Sequence, residues 1–124
     1  MNATNETLPR ILLAEDEALL ALLLAERLEQ AGFRIAGPAT SVAAALALIE
    51  QEGCDAAVLD IQLGNETAAP VVNAMRDRNI PYLTLSGYSE TQRLPVFEDA
   101  PMLVKPVRMH DLVACLKRCL AQKA

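Results

Sequence analysis

The chain has 124 residues, 52% of them apolar, a formal net charge of -5, and only two Tyr, two Phe and no Trp. That is the size of one domain, apolar enough to bury a core of Ala, Leu, Val and Ile, which excludes a disordered segment. The acidic balance opposes binding to a phosphate backbone and the scarcity of aromatics removes stacking platforms, so no nucleic-acid partner is expected.

The N-terminus, MNATNETLPR, lacks the basic and apolar regions of a secretory signal, and no apolar stretch is long enough for a membrane span. A cytoplasmic protein without a membrane partner is expected, with residues 1–9 a flexible tail and residues 10–122 the folded domain. Residues 11–14 form a short continuous apolar run, the pattern of a buried strand. A helix follows over 18–31 with Leu20, Leu23, Leu24, Leu28 and Ala31 on one face, and Gly32 stands where a C-cap belongs. Residues 34–37 read as a second strand. Ser41 then caps a helix whose Val42, Ala45, Leu46 and Ile49 share a face, and Gly53 ends it.

Residues 56–59 give a third strand, 68–77 a helix with Val71, Val72 and Met75 inward, and 82–85 a fourth strand. In the segment 88–101, Pro95 interrupts any helix and Pro101 closes it, so at most a short or irregular fourth helix is expected. Residues 102–104 form the fifth strand. The last helix, 109–120, is the most regular, with Leu112, Cys115, Leu116, Cys119 and Leu120 at i, i+3, i+4, i+7 and i+8. Cys115 and Cys119 could be neighbouring metal ligands, but small core-facing residues account for them more simply. With Cys54 they make an odd number without CxxC spacing, which indicates neither a disulfide framework nor a zinc site. The alternation predicts a (βα)5 chain: a doubly wound, five-stranded parallel sheet covered on both faces by helices.

In such a sheet, ligands gather outside the carboxyl ends of the strands. The first strand delivers Glu15 and Asp16 there, the third Asp60, the fourth Ser86 and Gly87, and the fifth Lys105 followed by Pro106. If the first and third strands are neighbours, the three acids converge. Two carboxylates about 4 Å apart repel by roughly 4 kcal/mol at an effective dielectric near 20, so three together call for protons or a hard divalent cation such as Mg2+. Lys105 supplies a mobile opposite charge and Ser86 a hydroxyl able to donate to a phosphoryl oxygen. Each residue alone has an ordinary reading: Asp60 as a turn residue, Glu15 and Asp16 as first-turn acids, Ser86 as a loop opening, Lys105 as a strand end. Their order along the chain is what singles them out.

From Arg10 to the C-terminus the chain resembles the receiver domain of two-component response regulators, with ILLAEDE as the acid-pair strand, VLD ending at Asp60, IPYLTLSG ending at the hydroxyl, and LVKP with the lysine and proline. The resemblance implies a flavodoxin-like receiver fold in which Asp60 is the phosphoacceptor. Asp16 is then a direct Mg2+ ligand, Glu15 a water-mediated one, and the backbone carbonyl of Gln62 a further ligand; Ser86 and Lys105 bind the phosphoryl group. It also implies a cis Lys105-Pro106 bond, and a sensor histidine kinase or histidine phosphotransfer protein as donor, with an unknown downstream protein as target.

The departures are informative. Glu15 stands for the more usual Asp and Ser86 for the usual Thr, and Met102 occupies the position of the family's switch aromatic, three residues before the lysine. Output is therefore expected to involve Gly87, Tyr88, Met102 and Pro106. The stretch ending in Ser86, Gly87 and Tyr88 is similar to the Phe-Ala-Thr-Gly-Tyr signature of single-domain alphaproteobacterial receivers, as is the weak segment 88–101. A stand-alone phosphorylatable receiver, rather than an enzyme, is the expectation. The alternatives are a phosphorylation-independent adaptor and an aspartyl-nucleophile phosphatase, the latter disfavoured because Gln62 occupies the place of a general acid. His110, at the start of the last helix, reads as an exposed or capping residue.

Overall fold

A computed structural model describes residues 7–87 and 95–122. The elements in chain order are β1 (Arg10–Ala14), α1 (Ala18–Gln30), β2 (Arg34–Ala39), α2 (Val42–Gln51), β3 (Ala56–Asp60), β4 (Gln62–Leu63), β5 (Glu66–Thr67), α3 (Ala69–Asp77), β6 (Tyr82–Ser86), β7 (Met102–Val104) and α4 (Met109–Gln122). β2-β1-β3-β6-β7 form one sheet in that order, with parallel pairing throughout. The chain moves outward from β1 to β2 and then crosses to the other side of β1 with β3, so the strand order reverses between β1 and β3. Crevices of open α/β sheets open at that point.

The apolar runs are continuous because both faces of the sheet are covered. Successive side chains on a strand point to opposite faces. Leu12, Ala14, Ala57 and Leu59 accordingly pack with Val42, Ala45 and Ile49 of α2 and Val71, Val72 and Met75 of α3, while Ile11, Leu13, Val58, Leu83 and Leu85 pack with α1 and α4. Fully burying each Leu or Ile contributes about 1.5–3 kcal/mol. Among the described residues, no helix is long and apolar enough to cross a membrane.

Three features differ from the sequence reading. The buried stripe of α1 is Ala21, Leu24, Ala25 and Leu28, whereas Leu23 is 47% exposed and Ala31 is exposed. In so leucine-rich a helix, apolar identity does not select the inward face; Ala21 and Ala25, one turn apart, let the backbone approach the sheet, and Leu19 and Leu22 are left outside. Second, β2 runs on to Ala39 through a cis Gly37-Pro38 bond, alongside the expected cis Lys105-Pro106 bond. Leu12 pairs with Ala36 but Ala14 with Ala39, so β2 carries one extra residue, a bulge. Third, a hairpin not foreseen follows Asp60: β4 and β5 pair antiparallel around Gly64 and Asn65, with Gly64 at φ +63.

Of the segment 88–101, residues 88–94 lie outside the described residues. The described remainder opens with a 3-10 turn, Pro95–Phe97, that buries Phe97 in the core, consistent with an irregular fourth helical element. Upstream of β1, the carbonyls of Leu8 and Pro9 accept hydrogen bonds from the Arg34 side chain and backbone at 2.9 and 2.8 Å.

The β2 bulge depends on Gly37, whose φ is +106 and where a Cβ would lie 2.6 Å from the Ala39 nitrogen and 3.0 Å from the Leu13 carbonyl oxygen. Gly37→Ala is expected to cost at least about 2 kcal/mol, read as a lowered urea midpoint at unchanged m-value. An unshifted midpoint would show that the bulge tolerates a side chain.

Candidate functional site

The acids come together through backbone placement. The Glu15 amide donates to the carbonyl of Ala39 at 2.9 Å, so the β2 bulge fixes the first residue beyond β1. Asp60 closes β3, whose next amide, that of Ile61, bonds to the Leu85 carbonyl on β6. The Lys105 amide bonds to the Ser86 carbonyl at 2.8 Å, which ties the residue after β7 to the end of β6. The end of β1 is thereby tied to that of β2, and the ends of β3, β6 and β7 to one another.

Lys105 joins the acids. Its Nζ donates to Glu15 Oε1 and to Asp60 Oδ2, both at 2.7 Å. Glu15 is fully buried and Asp60 is 4% exposed. Glu15 Oε2 also accepts from the Glu17 amide at 3.1 Å, and Asp60 Oδ1 from the Gln62 amide at 3.2 Å. Asp16 is exposed, and its Oδ2 accepts from the Gly64 amide at 2.9 Å. One carboxylate oxygen from each of Glu15, Asp16 and Asp60 lies within 4.8 Å of the others.

Burial pushes the Asp60 carboxyl up to about 6, and the neighbouring charge of Glu15 adds to the rise, against the opposing hydrogen bonds of Lys105 and Gln62. Burial alone would lower the Lys105 ammonium, but hydrogen bonds to Asp60 and Glu15, with their charges, hold it above the ordinary lysine range. Three ionised carboxylates against one ammonium leave two net negative charges. A divalent cation would balance that excess, and an all-oxygen donor set with one solvent-facing acid suits Mg2+, which keeps several waters.

The other expected site residues are distributed as follows. Ser86 ends β6, 3% exposed, with its hydroxyl donating to the Gly87 carbonyl at 3.2 Å. The neighbouring hydroxyl, Thr84, is fully buried and directed to the Pro101 carbonyl at 3.4 Å, so Ser86 is the one at the sheet edge. Gln62 begins β4 beside Asp60, and its side-chain amide donates to the Gly64 carbonyl at 3.0 Å. Gly87 is half-buried, Pro106 exposed, and Met102 half-buried on β7 opposite Thr84. Tyr88 lies outside the described residues. His110 is exposed on the first turn of α4. Cys115 and Cys119 are core residues, and burial pushes the Cys119 thiol up to about 11, which makes it unreactive. The residue that sequence reasoning missed is Gly64; the Gly-Asn pair between two short segments was its signal.

Residues 11–117 match the family model of the response regulator receiver domain. Among solved structures, the solution structure of SdrG from Sphingomonas melonis Fr1 is 37% identical, covering 95% of this chain and 99% of that one at a TM-score of 0.79. A response regulator receiver protein from Sinorhizobium medicae WSM419 is 27% identical, covering 96% and 99% at a TM-score of 0.82. The transcriptional regulatory protein PdtaR of Mycobacterium tuberculosis is 28% identical over 117 residues, which cover 91% of this chain and 57% of that protein. The chain thus spans little more than half the length of that curated relative. With a matched five-stranded sheet and the acids, hydroxyl and lysine at its strand ends, the chain belongs to the response regulator receiver domain family.

Proposed function

We propose that this chain is a phosphoacceptor of a two-component phosphorelay, taking a phosphoryl group from a phosphohistidine onto Asp60. The observation that carries the reading is Lys105 Nζ bridging Glu15 and Asp60 at 2.7 Å at the switch point of the sheet. The donor is a sensor histidine kinase or a histidine phosphotransfer protein in the cytoplasm, and the output is binding to a downstream protein. Glu15, Asp16, Asp60 and the Gln62 carbonyl would hold Mg2+, which when bound supplies positive charge to the phosphoryl oxygens.

The chain's own residues do the rest. Near pH 7.5 the Asp60 carboxyl, titrating at about 6, is mostly ionised and can act as nucleophile. One of its oxygens forms a bond to phosphorus as the bond from phosphorus to the donor imidazole nitrogen breaks, and the imidazole keeps that electron pair and takes up a proton. Lys105 and the Ser86 hydroxyl meet the charge on the transferred oxygens. Little covalent work falls to the protein, so positioning is most of the catalysis. The same groups serve the reverse step and hydrolysis. We further infer that output passes through Gly87, Tyr88, Met102 and Pro106, since no aromatic occupies position 102.

Asp60→Asn is expected to fold and to take up no label from an autophosphorylated sensor kinase in Mg2+; labelling at the wild-type rate would remove Asp60 from the role. The same variant tests the titration. A carboxyl raised from 3.8 to about 6 on folding binds protons more tightly in the native state, so its stability contribution is present at low pH and lost as pH rises through about 6. In Mg2+-free buffer the stability of Asp60→Asn relative to wild type should therefore grow from pH 4 to 6 and then level, by a total of about 2–3 kcal/mol. A constant difference across that range would contradict the raised value. Lys105→Met leaves two buried acids without their cation and should cost about 3 kcal/mol at pH 8. At pH 5, where the Asp60 carboxyl is mostly protonated, denaturant melts should show a smaller loss; an equal loss at both pH values would show that the charge of Lys105 is immaterial.

A further inference from the structure

Lys105 holds Glu15 and Asp60, but Asp16, the exposed acid of the three, is held across 48 residues of sequence by the hairpin: the Gly64 amide donates to its Oδ2 at 2.9 Å. We propose that the Gly64 amide is the positioning donor for the Asp16 metal ligand, and that the β4–β5 hairpin serves to present it. The inference rests on the metal-assisted reading above and adds a residue to it.

Two observations carry the assignment. The first is the reason for glycine. A Cβ at Gly64 would meet nothing within 4 Å, so the residue is not there to spare space; its φ of +63 is what the position needs, a conformation that turns the chain at the first place of a two-residue loop. The second is that the hairpin is anchored to the nucleophile and not merely near it. Leu63 is 2% exposed within the core, the Ala68 amide closes back on the Ile61 carbonyl at 2.7 Å, and the Gln62 amide bonds to Asp60 Oδ1 at 3.2 Å. The Gln62 side chain then braces the tip by donating to the Gly64 carbonyl at 3.0 Å. One short element thus fixes the Asp60 and Asp16 carboxylates relative to each other, while leaving one Asp16 oxygen within 4.8 Å of the ligand oxygens of Glu15 and Asp60. Outer donors that orient a ligating carboxylate typically change metal affinity about 10- to 100-fold.

The test is a Mg2+ titration followed by backbone amide shifts of 15N-labelled protein. Glycolic acid in place of Gly64, an amide-to-ester replacement, has no amide hydrogen to give Asp16 yet keeps the access to positive φ that proline would forbid, and Gly64→Ala keeps the amide at the cost of backbone strain. The expected result is affinity about 10- to 100-fold weaker in the ester variant and within about threefold of wild type in Gly64→Ala. Wild-type affinity in the ester variant, or an equal loss in both variants, overturns the inference, the latter by assigning the loss to the hairpin backbone. An independent arm leaves the hairpin sequence intact: in Mg2+-free protein the Gly64 amide should exchange with solvent at least about tenfold faster in Asp16→Ala than in wild type, and equal exchange overturns the proposal. Absence of any Mg2+-dependent shift around Asp60 in wild type would instead sink the metal reading, and this inference with it.

Discussion

The ammonium of Lys105 is the contact on which the arrangement of the strand ends depends. Glu15 and Asp60 are both removed from water and both anionic, and each would be strongly disfavoured without a cation at hydrogen-bond distance. Lys105 offsets both at 2.7 Å from a side chain that is itself only 24% exposed. Its reach is set by the backbone bond to Ser86, so the lysine cannot be moved without moving the edge of β6 and β7. Sheet order, the β2 bulge under Glu15 and the parallel register of β3 with β6 all serve to bring these groups to one place.

The compensation is incomplete by design of the charges. Asp60 remains pushed up to about 6 even with Lys105 attached, because burial and Glu15 outweigh the ammonium. A site of that kind attracts cations and is least comfortable with Asp60 ionised. Its cost is borne by the two apolar layers, where leucines, valines and isoleucines from both faces of β1, β3 and β6 supply the stability that the polar edge gives up.

The legible parts of the sequence were those with a strong one-dimensional signature. Apolar runs bounded by Gly, Pro and acids marked the five sheet strands, and the chemistry at each strand end followed because a parallel sheet sends all its C-termini to one edge. What escaped was set by contacts between distant residues. The face of α1 was chosen by the close approach of Ala21 and Ala25 to the sheet, which a row of leucines conceals. The β4–β5 hairpin has two residues in each strand, too few for any periodicity, and its partner Asp16 lies 48 residues away from Gly64. The extension of β2 through Pro38 depends on a bulge against β1, which only pairing reveals.

The same bonds that hold the resting site define how it can change. On the proposed reading, phosphorylation replaces the single charge of Asp60 with about two, and the Asp60 oxygen now bonded to Lys105 becomes part of an acyl phosphate. The ammonium must then follow the new oxygens, and its backbone is tied to the Ser86 carbonyl. Ser86 in turn has its hydroxyl on the Gly87 carbonyl, a bond it must give up to donate to a phosphoryl oxygen. Both adjustments act on the peptide between Ser86 and Gly87, where glycine lowers the resistance of the backbone to rotation. Met102, packed half-buried opposite Thr84, lies one strand away and has no bulky ring to swing. On that reading the route out of the site runs along the chain from β6, through the backbone after Ser86, with no aromatic ring at position 102 to carry it.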